Sequence, residues 1–146
     1  MVQIRKMKIE DVETVFNLGV KEERFNVSKQ KKEAFWAKEQ LTSWVKKNKD
    51  VLLIAEDNGK IVGYALSAYH APTGKATFEN LYVIEEYRSK GVGRELTECL
   101  IKELKKCGAT YICALVEQDN LPIIKCLEKP GFVRGKDFTW MEFFIN

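Results

Sequence analysis

Six residues, Arg88-Ser89-Lys90-Gly91-Val92-Gly93, carry the pattern with the most evident chemistry in this chain. They come after an apolar, strand-like run from Ala76 to Ile84 and open a long amphipathic run. A glycine-rich turn between strand and helix presents backbone N–H groups with no intrahelical partner, and the helix dipole adds positive potential there. Such a turn is suited to an anion. Gly91 and Gly93 lack the Cβ that would hold a bulky phosphate away from those amides. Arg88, Lys90 and Arg94 add positive charge beside them. Taken alone, the six residues fit a plain strand–helix connection with solvated basic side chains equally well. Two other kinds of phosphate loop are excluded. Arg94-Glu95 stands where a nucleotidase loop needs Lys-Ser/Thr, and a dinucleotide fingerprint needs a third glycine.

With its flanks, Leu81-Tyr82-Val83 and then Tyr87-Arg88-Ser89-Lys90-Gly91-Val92-Gly93, the stretch resembles the acetyl-CoA signature of the GNAT N-acetyltransferase superfamily. That signature is Arg or Gln, two residues, Gly, one residue, then Gly or Ala, just after the fourth strand. The resemblance implies that the amides of Ser89, Lys90, Gly91, Val92, Gly93 and Arg94 hold the diphosphate of acetyl-CoA, with Arg88 supporting the loop. It further implies that the pantetheine arm pairs strand-like with Leu81, Tyr82 and Val83. The Leu81 N–H then becomes the oxyanion donor, a contribution of about 3–4 kcal/mol at the transition state. Asn120 and Gly131-Phe132 match the family downstream, and Asn120 is placed among the cofactor-binding residues.

Acetyl transfer to an amine also needs a proton acceptor, because free amines have a pKa near 10. Glu79 is the candidate. It precedes Leu81 by two residues, and Glu79-Asn80-Leu81-Tyr82-Val83 resembles the Glu-Asp-x-x-Val segment of polyamine acetyltransferases, whose glutamate is the base. A solvated or salt-bridged strand glutamate is the competing account. Glu117 is a weaker second choice. The chain departs from the family at the general acid: the position seven residues after Asn120, a tyrosine in these enzymes, is Leu127. Three outcomes stay open: another donor such as Cys126 or water acts, the coenzyme leaves as a thiolate, or the enzyme is slow or inactive. The second is preferred, because a thiolate is a tolerable leaving group.

The acceptor is set, in this fold, by the first two helices and their connection. Glu22 and Glu23 in that connection suit a cationic small amine, a polyamine or a protein N-terminus; a solvated helix end explains them as well. The alternative function is a non-catalytic acyl-CoA-binding regulatory module, for which Leu127 speaks.

The elements that must position these residues are legible in the periodicity. Val2, Ile4 and Met7 suggest a first strand, and Ile9, Val12 and Phe16 a helix over 10–19. Residues 21–30 read as a loop and 31–47 as a second helix, with Trp36 off its apolar stripe. Two β-rich runs, 51–56 and 60–69, flank Asp57-Asn58-Gly59, a strong hairpin signal. In the strand 76–84, alternation puts Thr77, Glu79, Leu81 and Val83 on one face and Phe78, Asn80 and Tyr82 on the other. Val92, Leu96, Cys99/Leu100 and Leu104 mark a helix that Gly108 stops. Residues 110–117 form a strand, and Asp119 or Asn120 caps a short helix opened by Pro122. Residues 132–134 and 138–145 close the chain as two strands. The expectation is a single α+β domain over 1–146, a mixed, mostly antiparallel sheet with helices on both faces.

Composition agrees. The chain has 146 residues, 45% hydrophobic and 31% charged, with a net charge of +3 spread among acidic neighbours. No basic stripe marks a nucleic-acid binder, and no apolar run or signal-peptide core marks a membrane protein. A cytoplasmic location is expected, with the four cysteines reduced and largely buried and His70 a surface-turn residue. One histidine and no C-x-x-C spacing leave no metal constellation. A homodimer stays open.

Overall fold

The computed structural model describes residues 1–25 and 35–145. Five strands form one sheet in the order β1-β2-β3-β4-β5: Gln3–Lys6, Val51–Asp57, Lys60–His70, Lys75–Val83 and Tyr111–Ala114. The first four pair antiparallel, and β4 pairs with β5 in parallel. The helices are α1 (Val12–Gly19), α2 (Lys38–Lys47), α3 (Val92–Cys107) and α4 (Leu121–Glu128).

The sheet is covered on both faces, and β2 shows why. Val51, Leu53 and Ala55 join the core beneath α3, whereas Leu52 and Ile54 join the core beneath α1 and α2. A strand buried on both faces carries apolar residues at every position. Leu96, Leu100 and Leu104 of α3 are fully buried in the first core, and Leu127 of α4 is buried in the same core. Each such side chain contributes roughly 1.5–3 kcal/mol on removal from water. Val15 and Leu41 do the same in the second core, against Tyr64 and Leu66 of β3. Among the described residues no helix is long and apolar enough to cross a membrane.

Four expectations need correction. The second helix begins at Lys38, not at residue 31; positions 31–34 lie outside the described residues. Ala37 is extended and its N–H is accepted by the Gln40 side chain at 3.0 Å, which starts the helix there. Phe35 and Trp36 therefore precede it, and Phe35 stacks on Phe25 at 5.6 Å. Of the loop at 21–30, Glu23–Phe25 forms a single 3-10 turn, and 26–30 lie outside the described residues.

The second correction concerns β4. Leu66 pairs with Asn80 but Ser67 pairs with Phe78, so Glu79 is the extra residue of a β-bulge. Simple alternation fails across it. Phe78 packs on the α3 side together with Leu81 and Val83, while Tyr82 stacks on Tyr64 at 5.5 Å.

Third, β5 is short, and residues 132–145 form no strand. Strand-like side chains do not make a strand without a partner for its backbone. Fourth, the cysteines are less buried than expected: all are free thiols, Cys107 is exposed and Cys99, Cys113 and Cys126 are half-buried.

Candidate active site

The loop after β4 does at its backbone what an anion site requires. Arg88 is extended, Ser89 has φ 60° and Gly91 has φ 90° as the N-cap of α3. No side chain caps this helix, and its first internal bond runs from Glu95 N–H to Gly91 O at 3.0 Å. The amides of the first turn are thus left facing outward, with the positive end of a sixteen-residue helix behind them. The two glycines serve different ends. A Cβ on Gly91 would meet nothing within 4 Å, so the space above the amides is open. A Cβ on Gly93 would lie 3.1 Å from Cys126 Sγ, so Gly93 permits close packing of α3 on α4.

The basic side chains divide likewise. Arg88 Nε donates to Val83 O at 2.7 Å, and its guanidinium lies over the Tyr82 ring at 5.7 Å. It also stands 3.8 Å from Glu22, so Arg88 ties the loop to β4 and to the α1–α2 connection. Arg94 is engaged with Glu98 at 2.7 Å along its own helix. Lys90 is exposed and stands over the Tyr87 ring, 5.4 Å from its centroid.

The edge of β4 next to this loop is uncovered. Pairing with β5 ends at Phe78 and Ala114, which leaves 79–83 without a strand on that side. Leu81, Tyr82 and Val83 are half-buried there, held on their other side by Ala65, Tyr64 and Gly63. An extended ligand arm could pair along this stretch with its end at the bulge.

At the bulge stands Glu79. It is exposed, yet the surrounding protein raises its carboxyl above the usual carboxylate range, first by partial desolvation and then through the negative charge of Asp50. Asp50 accepts from the Trp44 indole N–H and from the Tyr69 amide. Trp36 donates its indole N–H to Asn80 Oδ1 at 2.8 Å and lies 4.9 Å from Trp44, ring centre to ring centre. Two carboxylates and two indoles therefore meet around the bulge. Sequence reasoning finds Glu79 and sets Trp36 off the apolar stripe, but misses Asp50, Trp44 and Asn80 as neighbours of the bulge. Only Trp36, off the helical stripe, gives a signal.

The remaining candidates lie around this centre or away from it. Glu22 is half-buried and turned to Arg88, and its Oε1 accepts the Arg24 N–H at 3.2 Å; Glu23 is exposed. Arg24 reaches Glu117 at 2.7 Å and Asp119 at 3.0 Å, tying the α1–α2 connection to the β5–α4 turn. Asn120 is the N-cap of α4 by position, but its side chain makes no capping bond, and Asp119 is engaged with Arg24. Leu127 is 6% exposed and belongs to the core. Burial pushes the neighbouring Cys126 thiol up, with Lys129 and Thr97 opposing weakly. His70 bonds Thr73 in an exposed turn. Among the described residues no group of three or more His, Cys, Asp or Glu could hold a metal ion. Two surface cavities, about 580 and 730 Å³, lie elsewhere, along α2 and around Arg5, Asp11 and Glu56.

Known proteins resemble this chain in sequence and in fold. The family model described as "Acetyltransferase (GNAT) family" matches residues 13–132. An L-amino acid N-acyltransferase of Escherichia coli is 33% identical over 85 residues, 56% of this chain and 49% of that one. The chain spans about half the length of the curated relatives it matches. Among solved structures, an acetyltransferase of Salmonella typhimurium with acetyl-CoA superposes at a TM-score of 0.77, with 21% identity over 90% of this chain and 79% of that one. The PaiA N-acetyltransferase of Thermoplasma acidophilum, in complex with coenzyme A, gives 0.78 with 24% identity over 94% and 93%. At these identities the two structures establish the likeness of fold.

Proposed function

The chain belongs to the acetyltransferase (GNAT) family, and on that premise we propose that it moves an acetyl group from acetyl-CoA to a primary amine. One observation carries this: an uncapped helix N-terminus with open space over Gly91 lies directly beside the stretch 79–83 of β4 that β5 leaves unpaired. The first fits a diphosphate, the second an extended pantetheine arm, and the two are joined by the Arg88–Val83 hydrogen bond. The solved relatives with acetyl-CoA and coenzyme A bound support the same choice of donor.

In this reading the amides of 89–94 hold the diphosphate and Arg88 keeps the loop against β4. Leu81 N–H donates to the thioester oxygen as negative charge grows on it. The acceptor nitrogen attacks the carbonyl carbon, the C–N bond forms, the C–S bond breaks and the sulfur leaves with the electron pair. Glu79 takes the amine proton, directly or through water. A carboxyl raised above its usual range is a better match to that proton than an ordinary one. Leu127 offers no proton, so the sulfur leaves as a thiolate. The acceptor is a small cationic amine, a polyamine or a protein N-terminus; Glu79, Asp50 and the paired indoles of Trp36 and Trp44 favour the ammonium groups of such molecules.

Leu127 also favours the second reading, an acyl-CoA-binding module without turnover, because its side chain is packed into the core and no hydroxyl stands in its place. Calorimetric titration with acetyl-CoA tests the part common to both. Binding is expected in the wild type and lost in Gly91→Glu; absence of binding in the wild type removes both.

A further inference from the structure

We propose that Tyr87 and Asp57 are positioning residues for acetyl-CoA: the hydrogen bond between them pins the diphosphate loop to the β2–β3 hairpin and holds Lys90 at the loop. The proposal rests on the acetyl-CoA reading above and goes beyond it, since the glycine signature begins at Arg88 and includes neither side chain.

The loop is costly to hold. Ser89 has φ 60°, a conformation that few residues other than glycine adopt, and Gly91 follows at φ 90°. Backbone of this kind persists only where its surroundings over-determine it. The start of α3 fixes one end, and the Arg88 bond to Val83 O fixes the other to β4. Tyr87 supplies a third point. It ends the 3-10 turn Glu85–Tyr87, and its hydroxyl donates to Asp57 Oδ2 at 2.8 Å, thirty residues away in sequence.

Asp57 is a firm anchor. It closes β2 opposite Lys60, and Asn58 and Gly59 between them have φ 50° and 79°, the left-handed pair of a tight two-residue hairpin. Its Oδ1 accepts from the Met1 amine at 3.0 Å, so both carboxylate oxygens are engaged. These partners, Met1 first and Tyr87 second, hold the Asp57 carboxyl below the usual carboxylate range. The same bond pushes the Tyr87 phenol up, so the proton stays on Tyr87. Tyr87 is a brace and not the acid that Leu127 fails to supply.

The Tyr87 ring carries the brace to the charge of the loop. Arg88 and Arg94 are turned to partners of their own. Among the described residues Lys90 has no ion pair, and it stands over the Tyr87 ring, 5.4 Å from the centroid. A ring face orients a cation without neutralising it, so the Lys90 charge stays available to a phosphate.

The test is acetyl-CoA affinity by calorimetry in Tyr87→Phe, Asp57→Ala, Asp57→Asn and the Tyr87→Phe/Asp57→Ala double variant, with Tm and amide exchange of residues 85–94 in each. Loss of the bond should raise Kd about three- to tenfold, part of what a hydrogen bond to a charged group is worth. The double variant should bind no worse than the single ones, because all three lose the same bond. Asp57→Asn keeps an acceptor and should bind like the wild type. In free Tyr87→Phe, exchange at 85–94 should quicken while the buried side of α3 stays protected. A purely structural bond lowers Tm and leaves Kd unchanged; that result overturns the proposal, as do additive losses in the double variant. If circular dichroism shows Asp57→Ala to be unfolded, the contrast between Tyr87→Phe and Asp57→Asn decides. A wild type that binds no acetyl-CoA overturns the acetyl-CoA reading and the proposal with it. A wild type that binds, with Tyr87→Phe equally tight, overturns the proposal alone.

Discussion

Gly91 and Gly93 make opposite demands on a new side chain, and the difference can be measured. At Gly91 the φ of 90° makes any L-residue strained, while a Cβ there meets nothing within 4 Å. The loss for Gly91→Ala is therefore backbone strain alone, about 1–2 kcal/mol. For a chain of this size that is roughly 2–4 °C in Tm per kcal/mol. Wild type with acetyl-CoA at about 100 times Kd gains about 2.7 kcal/mol and should melt higher accordingly. Gly91→Glu should melt like Gly91→Ala without ligand, and acetyl-CoA should no longer raise its Tm, because the carboxylate fills the diphosphate's place. At Gly93 the obstacle is Cys126 Sγ, 3.1 Å from the new Cβ. Gly93→Ala should cost about 1–3 kcal/mol by overpacking, and Cys126→Ala should restore most of it in the double variant. Scanning calorimetry of the set, with and without acetyl-CoA, decides. An undiminished acetyl-CoA shift in Gly91→Glu would refute the placement of the diphosphate.

Three further outcomes are expected. Glu79→Gln should lower kcat about 10²–10⁴-fold with acetyl-CoA binding unchanged; the base form of Glu79 is lost as pH falls through its raised pKa, and Asp50 helps to raise it. Asp50→Asn should therefore move the acidic limb of the pH–rate profile to lower pH, and a limb that stays in place shows that another group is titrating. Cys126→Ala should leave kcat within a few-fold, since burial keeps the thiol protonated against α3; loss of turnover with intact acetyl-CoA binding would make the thiol a participant. Leu100→Ala, at a fully buried α3 position, should cost about 2–5 kcal/mol in a urea titration.

The glycine pattern, the Asn58–Gly59 hairpin and the four-residue spacing of Leu96, Leu100 and Leu104 make most of the fold legible. Each is a local rule with a local cause. What stays hidden depends on partners distant in the chain. The bulge at Glu79 arises from a register slip against Leu66 and Ser67, and nothing within β4 announces it. The start of α2 is set by Gln40 folding back on Ala37, with no Ser, Thr, Asp or Asn at the cap to flag it. Asp50 and Trp44 join the site only because β2 begins beside the end of α2. Phe138–Ile145 has the pattern of a strand, but pattern alone cannot supply the second backbone a strand needs. Sequence makes Gly93 clearance for a phosphate, whereas its contact with Cys126 makes it clearance for a helix.

The central claim is that the loop and the bulge work together as one acetyl-transfer site. Release of free coenzyme thiol from acetyl-CoA, monitored spectroscopically across small amines, polyamines and peptide N-termini, tests it most directly. At least one amine class should raise release well above hydrolysis in the wild type, and Glu79→Gln should abolish that stimulation. If acetyl-CoA binds and no amine of any class raises thiol release, the chain is a binding module and the catalytic account is wrong.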